Sequence, residues 1–158
     1  MVGSDSPNDC IDCPIGQYLD SAGNDDVEDC IPCIAGTYID VEGSDEVTDC
    51  IDCVAGKYLN SAGNDHAGNC IECIAGKYID VSGSDDVSDC IDCIAGTFWV
   101  PGTGFEGADG ADEDTDCVGC AAGKYSTTVG SPVDDCIECV VGKYINVTGS
   151  DEPEDCID

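Results

Sequence analysis

Residues 71–90 read IECIAGKYIDVSGSDDVSDC, and the fold follows from this stretch because close versions of it recur along nearly the whole chain. Each repeat begins with the motif Cys-Xaa-Xaa-Cys, whose second residue is isoleucine in every repeat but the sixth, and the motif returns at intervals close to 20 residues. A fixed period of this length is the signature of a tandem-repeat architecture, so we predict about seven rungs. The first cysteines of successive repeats are Cys10, Cys30, Cys50, Cys70, Cys90, Cys117, Cys136 and Cys156.

Within each repeat, the recurring residues predict a turn, a short strand and a return arm. The seventh position is always glycine, which suits a backbone with positive φ or a close approach. Lys-Tyr-Ile-Asp-Val is typical of a short strand, Gly-Ser-Asp of a turn and Asp-Cys-Ile of the arm that pairs back. The ninth position is always aromatic, and we expect its ring to pack on a disulfide and the neighbouring repeat. These residues are Tyr18, Tyr38, Tyr58, Tyr78, Phe98, Tyr125 and Tyr144.

The composition indicates that disulfides, rather than a large apolar core, hold the chain together. Of 158 residues, 15 are cysteine, and the formal net charge is -31. Such a cysteine content is typical of small extracellular domains that cannot bury enough apolar surface. One rung cannot stand alone and must stack on its neighbours. We therefore predict a small disulfide-rich fold, mostly irregular with short β-hairpins, arranged as an elongated tandem-repeat rod in an extracellular or cell-surface setting.

Two disulfide patterns are open, because connectivity does not follow from spacing alone. In the first, each second-position cysteine bonds the first-position cysteine of the next repeat; in the second, like positions of adjacent repeats pair. We favour the first, because it uses every second-position cysteine and leaves only Cys10 to pair between molecules or with a preceding segment. Its pairs are Cys13 with Cys30, Cys33 with Cys50, Cys53 with Cys70, Cys73 with Cys90, Cys93 with Cys117, Cys120 with Cys136, and Cys139 with Cys156.

A metal-thiolate hypothesis also follows from the cysteine spacing. Two successive motifs, Cys-X2-Cys-X16-Cys-X2-Cys, match a four-cysteine zinc site. Seven such motifs do not divide evenly into two-motif sites, however, and thiolates would add charge to an already acidic chain. We keep zinc binding as an alternative to the disulfide interpretation.

Four segments divide the chain. Residues 1–9 are a partial preceding repeat, and residues 10–96 are regular cysteine repeats. Residues 97–116 form a longer acidic and aromatic insertion in the fifth repeat, with the only tryptophan and both phenylalanines of the chain. Residues 117–158 are further repeats, the last of them truncated. The insertion is either a contact site or a tolerated surface loop.

Acidic residues recur at fixed positions, and stacked rungs would align them into stripes. Carboxylate oxygens at high density suit Ca²⁺, although the spacing is not that of an EF-hand loop, and a solvated acidic face is the simpler interpretation. The densest cluster, and our candidate Ca²⁺ site, is Asp109, Asp112, Asp114 and Asp116. Separately, Asn146-Val147-Thr148 is a glycosylation sequon that we expect to be exposed.

Several classes of function are excluded or disfavoured by the residues present. A net charge of -31 repels nucleic acids and anionic lipid headgroups, so we expect no nucleic acid partner and no membrane insertion. The single histidine, His66, has no partner that would make it a general base, and no Ser-His-Asp or Cys-His arrangement can be assembled. We therefore predict that the chain is not an enzyme.

The segments CIDCVAGKY (50–58) and CIECIAGKY (70–78) resemble the ephrin-receptor-like cysteine-rich repeats. These are similar to tumour-necrosis-factor-receptor modules and to Cys-X-X-Cys surface and filament proteins of protists, and the likeness runs from Cys10 to Cys156. The resemblance implies an extracellular, non-enzymatic structural protein of a cell-surface filament, coat or stalk, or else a receptor-like ligand-binding ectodomain. The expected partners are further copies, head to tail, or neighbouring repeats of a longer chain, and glycans.

Overall fold

The computed structural model describes residues 11–24, 26–100 and 111–158. These residues contain twelve strands of two or three residues and six single 3-10 turns, but no α-helix. The strands are β1 Gln17–Tyr18, β2 Ile31–Pro32, β3 Thr37–Tyr38, β4 Ile51–Asp52, β5 Lys57–Tyr58, β6 Ile71–Glu72, β7 Lys77–Tyr78, β8 Ile91–Asp92, β9 Thr97–Trp99, β10 Cys117–Gly119, β11 Lys124–Tyr125 and β12 Ile137–Glu138. The 3-10 turns are Val27–Asp29, Val47–Asp49, Ala67–Asn69, Val87–Asp89, Asp114–Asp116 and Pro153–Asp155.

The strands pair in sequence order into six two-stranded sheets, β1 with β2 through β11 with β12. The pairing is antiparallel, and in the regular hairpins the tyrosine of the first strand lies opposite the isoleucine of the second, as Tyr38 lies opposite Ile51. An aromatic ring facing a β-branched side chain is a favourable cross-strand pair. The fold is thus the small disulfide-rich set of short hairpins that the repeat predicts.

Each first strand is shorter than the predicted Lys-Tyr-Ile-Asp-Val, because its pairing changes partner after the tyrosine. The N–H of Ile39 leaves the hairpin and donates to the Asn64 carbonyl at 3.1 Å. Tyr38 accordingly forms a parallel bridge with Asn64, in the following repeat. The isoleucine and aspartate that follow the tyrosine therefore belong to a contact between repeats rather than to the hairpin.

The described residues fall into two compact units. The first lies within Met1–Cys53, Tyr58–Ile71 and Gly83–Asp86. Its fully buried side chains include Cys33, Cys53 and Ile39, and Leu59 is 2% exposed. Each repeat therefore contributes one disulfide-bonded cysteine and one aliphatic side chain to the core of this unit.

The second unit lies within Val54–Lys57, Glu72–Ser82 and Val87–Asp158. Cys93, Cys120 and Ile79 are buried in it, as the corresponding residues are in the first unit. Ala111 and Ser131 are buried here as well. The same cysteine-and-aliphatic core therefore recurs after the insertion.

The buried apolar residue of each repeat is not the aromatic one. Tyr38 is half-buried and Tyr144 is 52% exposed, whereas Ile39 is completely buried. Successive residues of an extended chain point to opposite sides, so the tyrosine faces the outer side of the hairpin when the next residue enters the core. The more deeply buried apolar residue is therefore the one that follows the aromatic position.

Candidate functional site

Seven disulfides join the second cysteine of each repeat to the first cysteine of the next, which is the first of the two patterns considered. Their Cα–Cα distances run from 5.5 to 5.9 Å. Most close a separation of 17 residues, and loops of this size are worth about 3 kcal/mol each in the chain-entropy account. Fourteen cysteines are consequently bonded to sulfur and present no thiolate.

In the first unit, a repeated set of backbone hydrogen bonds links each repeat to the next. The seventh-position glycine N–H donates across the contact, as from Gly36 to the Leu59 carbonyl at 2.7 Å. In the return direction, the Gly63 N–H donates to the Cys33 carbonyl at 2.8 Å. Together with the bond from Ile39 to Asn64, these three bonds define the repeat-to-repeat contact. It uses main-chain atoms, so it does not depend on the side chains of individual repeats.

The second unit makes the same contact and keeps it across the insertion. Ile79 donates to the Ala111 carbonyl at 3.0 Å, where Ile39 uses Asn64. Trp99 then donates to Ser131 at 2.9 Å, and Ser126 to Ser150 at 3.1 Å. Ala111 therefore takes the position that the turn serine or asparagine holds in other repeats, so the longer repeat preserves the bonding pattern.

A second type of contact spans two repeats, and it leaves no room for a Cβ on the seventh-position glycine. A Cβ atom on Gly16 would lie 2.5 Å from the Gly63 carbonyl oxygen. Closer overlaps would occur between Gly36 and the Gly83 carbonyl, between Gly76 and Gly130, and between Gly96 and Gly149. The sequence predicted a close approach at this glycine, but it gave no indication that the partner is the turn glycine two repeats further along.

In several repeats the aspartate before the next cysteine caps a turn, so these residues are not part of a wholly solvated stripe. Asp49 Oδ2 accepts from the N–H groups of Asp45 and Glu46, both at 3.1 Å. Asp155 does the same for Asp151 and Glu152, at 3.3 and 3.4 Å. Ser, Thr, Asn and Asp are favoured where backbone N–H groups need a side-chain acceptor. This regular spacing thus has a local structural cause.

Of the four candidate Ca²⁺ ligands, Asp109 lies outside the described residues. Asp116 is 7% exposed, and its Oδ2 accepts from the N–H groups of Asp112 and Glu113, at 3.0 and 3.2 Å. Asp114 is exposed. Within residues 11–24, 26–100 and 111–158, no three acidic, histidine or cysteine side chains gather as a metal site would need. The structure thus brings Asp112 and Asp116 together as a cap.

Asp135 has a hydrogen-bond environment that no other repeat shares within the described part of the chain. Burial acts to raise the pKa of the Asp135 carboxyl, but hydrogen bonds from Thr128, Ser126 and Ser131 and its own backbone outweigh that effect and lower it below 3.8. The Ser126 hydroxyl donates to Asp135 Oδ1 at 2.9 Å. Ser126 and Ser131 are each 1% exposed. The shorter sixth repeat thus replaces the usual cap with a buried hydroxyl cluster.

The positive charges of the chain are matched locally by carboxylates. All four are lysines, and three lie across a hairpin from an acid: Lys57 from Glu72 at 3.7 Å, Lys77 from Asp92 at 2.8 Å and Lys124 from Glu138 at 3.9 Å. Lys143 lies 3.7 Å from Asp158. Exposed pairs of this kind contribute little stability. They leave the surface without an uncompensated cation in the part of the chain described.

The remaining predicted sites are scattered. Cys10 lies outside the described residues. Asn146 is exposed, as are Val147 and Thr148. In the insertion, Phe98 and Trp99 are half-buried in β9, opposite Val118 and Cys117 of β10.

His66 has a structural role that the sequence did not reveal. Its Nδ1 accepts from the Gly68 N–H at 3.0 Å, so the ring caps the turn Ala67–Asn69. Asp26, at the corresponding position of the first repeat, accepts from the Glu28 N–H in the same way, at 3.0 Å. His66 is thus one more cap.

Comparison with known proteins agrees with the repeat. The family model described as tyrosine-protein kinase ephrin type A/B receptor-like matches residues 2–50 and 44–90, which is more than half of the chain. A search of curated protein sequences found no match to the chain. A helix of the length and apolarity needed to cross a bilayer is absent from the residues described.

Proposed function

Because the chain belongs to the ephrin-receptor-like family of cysteine-rich repeats, and is an extracellular repeat domain, we propose that it is a non-enzymatic structural element of a cell-surface filament, coat or stalk. The family match and the disulfide framework support the extracellular setting, where such bonds persist. The structural role itself is supported by the regularity of the contacts between repeats.

The observation that carries this proposal is the repetition of one main-chain contact. The bonds from Gly36 to Leu59 and from Gly96 to Ser126 occupy equivalent positions in the two units. Disulfides and glycine contacts accompany them at each step. A protein built this way gains length by adding equal units, which is what a stalk or filament requires.

Immunogold labelling of intact cells that produce the chain tests this role. We expect label on the outer surface, along filaments, a continuous coat or stalks, and retention of the protein in the cell-surface fraction. Secreted protein found only as a dissolved species in the medium would contradict the proposal.

A receptor-like binding ectodomain is the second candidate, and the hairpin β9–β10 favours it. This hairpin has three residues in each strand and carries two adjacent half-buried aromatic residues, Phe98 and Trp99, whereas the Lys-Tyr strands of other repeats carry one. Aromatic residues are common anchors of binding surfaces. Trp99→Ala would abolish capture of a ligand from the native extracellular medium, whereas Tyr78→Ala in a regular hairpin would not.

The metal-thiolate alternative has no support from the disulfide-bonded cysteines. A disulfide sulfur is not a thiolate, and zinc binds the thiolate form. Intact mass measurement checks the oxidation state: seven disulfides lower the mass by 14 hydrogens relative to the reduced chain. A chain that is fully alkylated without reduction and retains zinc would favour the alternative instead.

Asn146 is our proposed attachment site for an N-linked glycan. The whole sequon is exposed, and Val147 is 58% exposed. Expression through a eukaryotic secretory pathway should give a species that shifts to lower mass on enzymatic deglycosylation. Thr148→Ala should remove that shift, because the acceptor motif needs Ser or Thr at its third position.

A further inference from the structure

We propose that an exposed row of aliphatic side chains in the second unit binds the same row of a second copy of this chain, side by side. This inference rests on the proposed structural function and names the contact through which copies would associate laterally. The surface, which we call the aliphatic row, consists of Val54, Ile74, Ile94 and Val140.

Each member of the aliphatic row begins the tight turn of a hairpin. The Ile74 carbonyl accepts from the Lys77 N–H at 3.1 Å. The same bond joins Val140 to Lys143, at 3.0 Å. Ile74, Ile94 and Val140 are 69%, 71% and 67% exposed, so each side chain lies on the outside of its turn.

The contacts between repeats place these turns on one side of the second unit. The Gly56 N–H donates to the Ile79 carbonyl of the next repeat at 2.8 Å, and the Gly96 N–H donates to the Ser126 carbonyl at 2.7 Å. The glycine lies two residues after the aliphatic residue, so this bond fixes the direction that the turn faces. Equivalent side chains in repeats that share one contact therefore form a row.

The residues beside the aliphatic row carry no net charge in the described part of the second unit. The lysine that ends each turn is matched by a carboxylate, in the pairs Lys57 with Glu72, Lys77 with Asp92, Lys124 with Glu138 and Lys143 with Asp158. In the hairpin β9–β10, the uncharged Thr97 lies opposite Gly119. These are all the lysines of a chain without arginine, so the acids that produce the net charge of -31 lie at other positions.

This distribution of charge identifies the occupant as a second copy of the chain. Two chains with a net charge of -31 repel each other, and a neutral apolar face is where they can approach. Exposed apolar patches on otherwise polar proteins mark interaction sites. The row can pair with itself in the symmetric way common to homodimers.

Repetition compensates for the small size of each contact. One aliphatic side chain per repeat buries little area, but the row of a second copy has the same spacing because its repeats are the same. Once one pair of side chains meets, the next pairs are already aligned, and linked contacts of this kind strengthen one another. We therefore expect association that depends on several repeats together.

Salt sets the conditions under which the rows meet. The screening length falls from about 10 Å at about 0.1 M salt to about 3 Å at about 1 M. Higher salt thus reduces the repulsion between the acidic surfaces outside the row without weakening the apolar contact. We expect weak association that strengthens with salt.

The test is sedimentation velocity on the 158-residue chain, over a concentration series at about 0.1 M and about 1 M NaCl. All samples carry Cys10→Ser, which prevents association through that thiol. The row variant replaces three members by threonine, which keeps the β-branched shape but adds a hydroxyl: Ile74→Thr, Ile94→Thr and Val140→Thr.

The matched control places the same number of threonines at exposed aliphatic positions of the same unit that lie outside these turns. These positions are 57%, 55% and 61% exposed, and the substitutions are Val81→Thr, Val87→Thr and Val133→Thr. All six changed residues are exposed, so both variants should keep the melting temperature of the parent chain.

A change of charge provides an independent arm. Lys124→Gln leaves the Glu138 carboxylate unmatched beside the row, where its side chain is 81% exposed. Asn146→Asp is the control, because it changes the net charge by the same amount at an exposed residue of the same unit. At about 0.1 M NaCl, Lys124→Gln should weaken association more than Asn146→Asp does.

We expect oligomers at about 1 M NaCl that the row variant weakens by about tenfold or more, while the threonine control does not weaken them. A chain that stays monomeric at every salt concentration, or equal effects of the row variant and its control, would overturn the inference. A monomeric chain that binds phosphatidylcholine vesicles through the row would overturn it in favour of a lipid surface.

Failure of this inference is distinguishable from failure of the proposed function. A monomeric chain whose label still covers intact cells would contradict the lateral contact and leave the coat or stalk supported. Lateral oligomers of a protein found only dissolved in the medium would contradict the structural role and support the contact.

Discussion

At the scale of single residues, glycine decides how closely the repeats approach. Gly36 has a φ of 86°, in the left-handed region where other residues are strained, and its α-carbon faces the Gly83 carbonyl. Both properties exclude a side chain, but only the second involves another repeat. Comparing glycines that share the first property and differ in the second separates their contributions.

Gly36→Ala should destabilise the chain more than Gly23→Ala. The two positions have nearly equal φ, 86° and 88°, but nothing lies within 4 Å of a Cβ at Gly23. We expect about 1 kcal/mol of backbone strain in both variants and about 2 kcal/mol more for overlap at Gly36. Urea denaturation under non-reducing conditions measures both, and equal losses would contradict the close contact.

The buried hydroxyls around Asp135 should control its titration. Because the folded pKa of Asp135 lies below 3.8, the carboxylate contributes stability that is present above that value and lost as pH falls through the folded pKa. Ser126→Ala removes one donor and should raise the pKa of Asp135 towards 3.8. A carboxyl-carbon NMR titration checks this, with Thr127→Ala as a control that removes a neighbouring but exposed hydroxyl. An unchanged Asp135 titration in Ser126→Ala would show that the hydroxyl has no influence.

At the scale of elements, three of the 3-10 turns are held by the aspartate that ends them. Asp49, Asp116 and Asp155 each accept two backbone N–H groups from the start of their own turn. Their carboxylates satisfy donors that the short turn leaves unpaired. At these three positions the carboxylate therefore has a role in the turn that is independent of any bound ion.

Asp49→Ala should cost about 1 kcal/mol of unfolding free energy, as loss of a capping side chain usually does. Asp40→Ala is the matched control, since it removes the same charge from an exposed residue of the same unit. Removing one carboxylate also relieves repulsion, and the control measures that gain alone. Thermal unfolding of both variants at equal ionic strength gives the comparison. Equal stability of the two variants would mean that the cap contributes nothing.

The sequence predicted the repeat, the short hairpins and the turn glycine, because each depends on residues close together in the chain. The predicted strand ends were wrong, because the Ile39 N–H bonds the Asn64 carbonyl of the next repeat instead of the hairpin partner. Nothing in the sequence near Ile39 indicates this change of partner. Likewise, nothing within one repeat indicates that Gly36 meets Gly83. The His66 cap follows from a ring nitrogen replacing a carboxylate oxygen, which a search for catalytic partners does not consider.

At the scale of the whole molecule, charge opposes the compact state. The net charge is -31, and the four lysines are already paired with carboxylates on the same chain. Self-repulsion of this size destabilises a folded protein until salt screens it. The disulfides hold the repeats together against this repulsion.

Raising NaCl from about 0.01 M to about 1 M should raise the melting temperature, because the screening length falls from about 30 Å to about 3 Å. A variant with Asp20→Asn, Asp40→Asn and Asp80→Asn, all at exposed positions, should show a smaller salt dependence. A melting temperature that does not respond to salt would contradict the role of self-repulsion.

Ca²⁺ at the same ionic strength provides a second arm of this experiment. Stabilisation beyond that of NaCl is the result expected for an ion site at Asp109, Asp112, Asp114 and Asp116. Equal stabilisation by the two salts would mean that these carboxylates bind no Ca²⁺ and are simply solvated. The substitution Asp114→Asn separates the two cases, because Asp114 is exposed whereas Asp116 caps a turn.

The disulfide pattern has a consequence for biosynthesis. Every bond joins a cysteine to the next cysteine in the sequence, so Cys33 bonds Cys50 with no other cysteine between them. During secretion, with the N-terminus emerging first, each new first-position cysteine finds its partner already exposed and unoccupied. Each disulfide can therefore form as soon as its second cysteine has been secreted, without a segment from further along the chain. At the level of the gene, a whole repeat can be duplicated or deleted, and every remaining second-position cysteine still has a first-position cysteine next in the sequence to pair with.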